Sequence, residues 1–185
     1  MEALYKNIHQ DIIDRCRQGN REAQFQLYKL YYKSMYNTCL RMVGNEADAE
    51  DIMQESFLNA FKKIDSYEGK VSFGAWIKKI VINRSLDYLK KRKVTFEEIN
   101  EKLADEIENP LMEMREVDLE KLKKAVMQLP EGYRVVLSLY LLEGYDHDEI
   151  SEILHITNVS SRTQLLRAKK KLRDILLKEE IFSFN

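Results

Sequence analysis

The 185-residue chain is 44% hydrophobic and 33% charged with a net charge of -1, a balance that supports one or two small cores and excludes indiscriminate coating of nucleic acid, which needs a large positive excess. With only 2 prolines and 6 glycines, and with Leu, Lys, Glu, Arg, Ala and Ile dominant, the long unbroken stretches predict an all-α protein with little or no β-sheet. Cys16 and Cys39 have no metal-ligand spacing and give no disulfide framework, the N-terminus has no apolar run or cleavage site, and the longest apolar stretch, 135–142, is too short to span a bilayer, so a soluble protein of the reducing cytoplasm is expected.

From residue 11 to about residue 93 helical periodicity is broken at Gly19-Asn20, at Gly44-Asn45 and around residues 66–74, which predicts four helices and a first domain over 1–93. The segment NEADAEDIMQESFLNAFKKI (45–64) places Ala49, Met53, Phe57, Ala60 and Ile64 on one stripe and Asp51, Gln54, Glu55 and Leu58 on another. That second face is either a docking surface for a protein or an ordinary solvated face. After the loop DSYEGKV (65–71), the segment SFGAWIKKIVINRSLDYLKKRK (72–93) sets core anchors Phe73, Trp76, Ile77, Ile80, Val81, Leu86 and Leu89 against Lys79, Asn83 and Arg84, polar groups suited to a DNA strand. Core packing is the expected role of Trp76.

Residues 94–116 turn acidic, lose amphipathicity and contain Pro110, and so read as a flexible linker. A second four-helix domain is expected over 117–185, opening on an apolar face of Leu119, Leu122, Val126 and Leu129. Pro130 starts the next helix, and Gly144 ends it.

The stretch DHDEISEILHITNVSSRTQLLRAKKKL (146–172) reads as two short helices joined by a tight turn. Asp146 and Glu149 form a capping box, Ile150, Ile153 and Leu154 face inward, and the pattern halts near His155. Thr157 or Asn158 can cap the second helix. There, Ser161, Leu165, Ala168 and Leu172 share one side, leaving Ser160, Thr163, Leu166, Arg167 and Lys170 as the candidate reading face. A helix fits the DNA major groove, and in a helix-turn-helix the second helix meets base edges near its N-terminus. Arg162, Thr163 and Arg167 suit that role, while Lys169, Lys170, Lys171 and Arg173 suit phosphates.

In order and spacing, DAEDIMQESFLNAF, SFGAWIKKIVINRSLDYLKKRK, the acidic linker, LPEGYRVVLSLYLLEGYDHDEISEIL and SSRTQLLRAKKKL resemble the extracytoplasmic-function (ECF) class, group IV, of bacterial sigma factors, over about residues 14–177. The run SSRTQLLRAKKKL is most similar to Bacteroidetes-type members. The resemblance implies that 1–93 is sigma region 2, which docks on polymerase, recognises the minus-10 element and melts it. It implies likewise that 117–185 is sigma region 4, which reads the minus-35 element.

Asp48, Asp51, Gln54, Glu55 and Leu58 would contact the polymerase clamp helices. Ser66, Tyr67, Lys70, Lys79, Asn83 and Arg84 would hold the minus-10 strand, where a flipped base costs a few kcal/mol to extrude. Ser160, Arg162, Thr163, Leu166, Arg167 and Lys170 would read the minus-35 duplex. The implied partners are core RNA polymerase (clamp helices and flap), promoter DNA and an anti-sigma factor, often membrane-anchored. The resemblance implies no catalytic residue, metal, cofactor or small-molecule substrate.

The chain departs from the family pattern at His155, often Gly, at Val159, often small or polar, and at Ser161, often branched and apolar. These positions set the pitch of the recognition helix. A stand-alone helix-turn-helix regulator with a sensing or dimerisation domain is the alternative reading, against which the basic helix bearing Asn83 counts. An enzymatic reading from His147-Asp148 lacks converging ligands, a phosphate-cradling loop and a positioned nucleophile.

Overall fold

The computed structural model describes residues 8–92 and 118–182, and the acidic linker expected at 94–116 lies outside them. The chain divides into two compact units, Met1–Lys91 and Arg92–Asn185. Every described element is helical.

The first unit contains α1 (Gln10–Arg17), α2 (Arg21–Val43), α3 (Glu46–Lys62) and α4 (Phe73–Lys91). Its breaks are the polar and glycine signals of the sequence. The Asn20 side chain accepts from Ala23 N at 2.9 Å to start α2. Gly44, at φ 78°, ends α2 in the left-handed region by donating to the Leu40 carbonyl. Asn45 then caps α3 by accepting from Asp48 N at 3.0 Å, and Glu46 and Asp48 favour the positive end of its dipole. Ser72 Oγ accepts from Ala75 N at 3.1 Å to open α4.

Helix α2 packs against α1, α3 and α4, and α3 packs against α4. Ile13, Leu27, Met35, Met42, Phe57, Phe73, Ile77 and Leu89 fill the interior. The predicted stripe Ala49, Met53, Phe57, Ala60 and Ile64 is wholly buried. Burial is the main cause that pushes the Cys39 thiol up to about 12, so this cysteine is a small apolar filler and not a nucleophile.

The second unit contains α5 (Leu119–Met127), α6 (Glu131–Leu137), α7 (His147–Leu154) and α8 (Asn158–Phe182). Asp118 caps α5 by accepting from Glu120 N at 3.0 Å. Leu119 departs from the expected apolar face and is 70% exposed, because as the first residue of the helix it precedes the turn that meets the core. Val126 and Leu129 do turn inward.

Helix α6 does not stop cleanly but widens over Ser138–Leu142 into a π turn. Glu143 N returns to the Ser138 carbonyl and Tyr145 N to the Leu139 carbonyl, both at 3.0 Å, and Gly144 at φ 80° makes the exit. Helix α8 packs against α5, α6 and α7.

Arg134 is an unusual member of this core at 4% exposure. Its Nη1 donates to the Leu129 carbonyl at 3.1 Å and the Met127 carbonyl at 3.4 Å, satisfying backbone acceptors where α5 ends. Arg134→Ala is expected to destabilise this unit by about 2–4 kcal/mol, since charge-assisted bonds to buried acceptors are lost. Urea unfolding followed by circular dichroism should then shift to lower denaturant. The fluorescence of Trp76, the chain's 1 tryptophan, should keep its midpoint because it reports the first unit.

Candidate nucleic-acid interface

The helix-turn-helix of α7 and α8 is assembled by short polar ties. Both halves of the capping box are present, with Glu149 N donating to Asp146 Oδ1 at 2.8 Å and Asp146 N donating to Glu149 Oε2 at 2.9 Å. The chain leaves α7 through His155 at φ 56°, a left-handed conformation that glycine adopts without steric cost. Ile156 plugs the turn at 9% exposure. Thr157, of the two candidates, is the cap of α8, its Oγ1 accepting from Ser160 N at 3.0 Å.

Asn158 ties the helices together instead. Its Nδ2 donates to Asp148 Oδ1, and its Oδ1 accepts from Arg162 Nε at 2.8 Å. Beside it, His147 Nδ1 meets Ser161 Oγ at 2.9 Å, and the His147 ring stacks on Tyr140 at 4.6 Å. His147 and Asp148 therefore join two helices.

The exposed strip of α8 contains Arg162, Lys169 and Lys170, with Leu166 and Arg167 half-buried along it. Two expected readers face the other way. Ser160 and Thr163 are 1% and 3% exposed. Ser160 Oγ accepts from Thr157 Oγ1 at 2.9 Å and Thr163 Oγ1 donates to the Val159 carbonyl at 2.9 Å. The sequence stripe underestimated the buried arc because α8 is flanked by three helices, and Gln164 is enclosed as well.

In the first unit, a cavity of about 430 Å³ is lined by Asn59, Lys63, Ser66, Trp76, Ile80, Asn83, Arg84 and Asp87. It gathers Ser66, Asn83 and Arg84, three of the expected strand contacts, beside an indole and an aliphatic wall. Trp76 does double duty, since one side of the ring packs on Tyr67 at 5.3 Å and Phe73 at 5.5 Å. Asn59 and Lys63 escaped the sequence reading, although their four-residue spacing ahead of Ser66 was a usable signal.

Tyr67 is enclosed. Its side chain is 2% exposed, with the hydroxyl donating to the Val71 carbonyl at 2.5 Å and its own carbonyl accepting from Arg17 Nη2 at 2.6 Å. It shapes the loop from within. Lys70 is exposed and paired with Glu68 at 2.6 Å, and Lys79 is exposed outside the cavity lining.

A second groove, of about 290 Å³, is lined by Asp48, Asp51, Ile52, Glu55, Arg84, Asp87, Tyr88 and Lys91. It brings Asp48, Asp51 and Glu55 together, whereas Gln54 pairs with Glu50 at 3.1 Å and Leu58 stands 61% exposed. Tyr88 donates to Asp48 at 2.6 Å, and Arg84 pairs with Glu55 at 2.6 Å. Arg84 and Asp87 line both depressions.

The family model of Sigma-70 region 2 matches residues 27–95, and that of Sigma-70 region 4 matches residues 119–172. The ECF RNA polymerase sigma factor SigW of Bacillus subtilis is 30% identical over 87% of this chain and 92% of its own length. The chain belongs to the ECF class of RNA polymerase sigma factors. The ECF RNA polymerase sigma-E factor of Haemophilus influenzae is 28% identical over 89% of this sigma factor and 93% of its own length.

Among solved structures, the sigma factor RpoE from Bartonella quintana, in complex with the anti-sigma factor NepR, superposes with a TM-score of 0.54 at 21% identity, covering 82% of this chain and 94% of that one. The likeness is one of fold. As a member of its class the sigma factor directs core RNA polymerase to promoters and helps open them.

His147 gives region 4 a pH dependence. Burial first, then the Arg162 charge, and more weakly Lys169, push its pKa below the ordinary histidine value, against the opposing pull of Asp146 and Asp148. The folded state therefore prefers neutral imidazole and binds fewer protons than the unfolded state. Its contribution is complete above the ordinary value of about 6.5 and is lost as pH falls through the lower folded value. Thermal melts of the wild type should show the circular-dichroism transition of this unit dropping with acidification through that window, and His147→Gln should flatten the response.

Proposed function

We propose that the sigma factor holds the melted minus-10 strand in the cavity between α3, the loop at 66–71 and α4, and reads the minus-35 duplex with the exposed strip of α8. The observation that carries the first half is the convergence of Ser66, Trp76, Asn83 and Arg84 on one depression. An indole wall offers stacking to an unpaired base, and the amide and guanidinium offer hydrogen bonds to base and phosphate. Asn59 and Lys63 join this set. Lys79 and Lys70 lie outside it and serve the backbone at longer range, and Tyr67 supports the loop.

On α8, Arg162, Leu166, Arg167 and Lys170 are the reading and phosphate contacts, with Lys169 alongside. Ser160 and Thr163 leave the set. Asp48, Asp51 and Glu55, which line one groove, form the face for the polymerase clamp helices together with Gln54 and the exposed Leu58. The region 2 and region 4 roles belong to 1–93 and 117–185.

The factor acts by binding, without covalent chemistry, in the cytoplasm where its polymerase works. No described helix is long and apolar enough to cross a membrane. By likeness to the RpoE–NepR complex, an anti-sigma factor restrains it.

Arg167→Ala is expected to cost roughly 1–3 kcal/mol of promoter binding by the holoenzyme if its guanidinium reads a base edge. Filter binding or anisotropy on a cognate promoter checks this, and unchanged affinity would remove Arg167 from the reading face. Asn83→Ala should leave initial docking intact and reduce strand opening. Equal permanganate reactivity of wild-type and variant complexes around the minus-10 element would refute the cavity assignment.

A further inference from the structure

We infer that Asp148 and Asn158 form a positioning relay that aims Arg162 of α8 at the upstream duplex. The inference rests on the proposal that α8 reads the minus-35 element, and it adds residues that do not touch DNA. Asp148 sits in the first turn of α7, Asn158 is the first residue of α8, and Arg162 lies one turn further along. The Asn158 amide group donates to Asp148, and its oxygen accepts from Arg162 Nε.

The polarity of this chain of bonds is fixed by its first member. An ionised carboxylate only accepts, so Asp148 requires the NH2 side of the Asn158 amide to face it. The amide oxygen is thereby turned toward Arg162. An arginine bound through Nε has its planar fork oriented while the Nη edge stays open, and that edge matches the O6/N7 pair of guanine or two phosphate oxygens.

A free arginine on an exposed helix face loses rotamer freedom on binding. Fixing the fork beforehand lowers that cost, so the relay acts on affinity and on angular selectivity together. The frame that holds the relay is itself tied, because His147, next to Asp148, meets Ser161 Oγ at 2.9 Å. Asp148 on α7 thus reports its position to a DNA-facing side chain on α8.

The test is a double-mutant cycle on holoenzyme built from core polymerase and the full chain. The probe is a duplex selected by the wild-type holoenzyme from a pool randomised over the upstream element, together with single-base-pair variants of it. Asn158→Ala should weaken binding by roughly three- to tenfold, the worth of one ordinary hydrogen bond, and should flatten discrimination at one base pair or one phosphate register. In an Arg162→Ala background it should add no further loss.

Asn158→Asp places like charges together and should weaken binding similarly. The exchange variant Asp148→Asn/Asn158→Asp restores a donor facing an acceptor and should recover most of the affinity. Because it conserves volume, it also keeps the test decisive if Asn158→Ala fails to fold. Equal losses from Asn158→Ala in both backgrounds, or no recovery in the exchange variant, would overturn the relay while leaving Arg162 a reader. An Arg162→Ala variant that binds as wild type would overturn the reading of α8 on which the relay rests, and the relay with it.

Discussion

Each helix has one perimeter, and the core claims most of it. Helix α8 packs against α5, α6 and α7, so its buried arc takes in Ser160, Ser161, Thr163 and Gln164 as well as Leu165 and Ala168. What remains exposed is a narrow strip. Polar side chains on the buried arc are tolerated because their hydroxyls bond to nearby partners, as with Thr163 to Val159 and Ser160 to Thr157, which removes the cost of burying an unpaired hydroxyl. The same device recurs in the first unit, where Ser56 and Ser85 donate to carbonyls one turn back at 2.6 and 2.9 Å.

The constraint has the opposite effect between α3 and α4. There the two helices pack together, Phe57 and Ile77 are both buried, and two depressions open with Arg84 and Asp87 common to both. The Arg84–Glu55 pair is short at 2.6 Å, yet its side chains are 38% and 64% exposed. A pair this wet contributes at most about 1 kcal/mol. It is therefore easily exchanged for other partners of the guanidinium or the carboxylate.

How much of this was legible follows from the range of the forces involved. Asn20, Asn45, Asp146 with Glu149, Gly44 and Gly144 announced helix ends because caps and left-handed exits act within four residues. The stripe of α3 was legible because its apolar residues recur at helical spacing, and they are buried where α3 meets α2 and α4. Tyr67 was not, since its burial depends on Phe73 and Trp76 arriving from the next helix and on Arg17 reaching its carbonyl from α1. Asn59 and Lys63 were missed for the same reason, as they become part of a site only when α4 lies alongside. Ser160 and Thr163 were misplaced because a periodicity argument counts one buried side, and α8 has three neighbours.

The three departures from the family pattern acquire local explanations. His155 occupies φ 56°, where a side chain costs roughly 1–2 kcal/mol that glycine would avoid. The turn keeps that geometry because its neighbours determine it, with Ile156 N returning to the Ser151 carbonyl at 3.1 Å and Thr157 capping the next helix. Ser161, where an apolar residue would pack, instead meets His147, exchanging non-directional contact for a tie with a defined length and angle. Val159 sits half-buried while its carbonyl accepts from Thr163. Directional ties resist rotation of α8 about its axis better than an apolar contact of similar area, because a hydrogen bond weakens steeply with misalignment. The pitch of α8 is therefore set by polar bonds at its N-terminal turn, the part of the second helix that meets base edges in helix-turn-helix proteins.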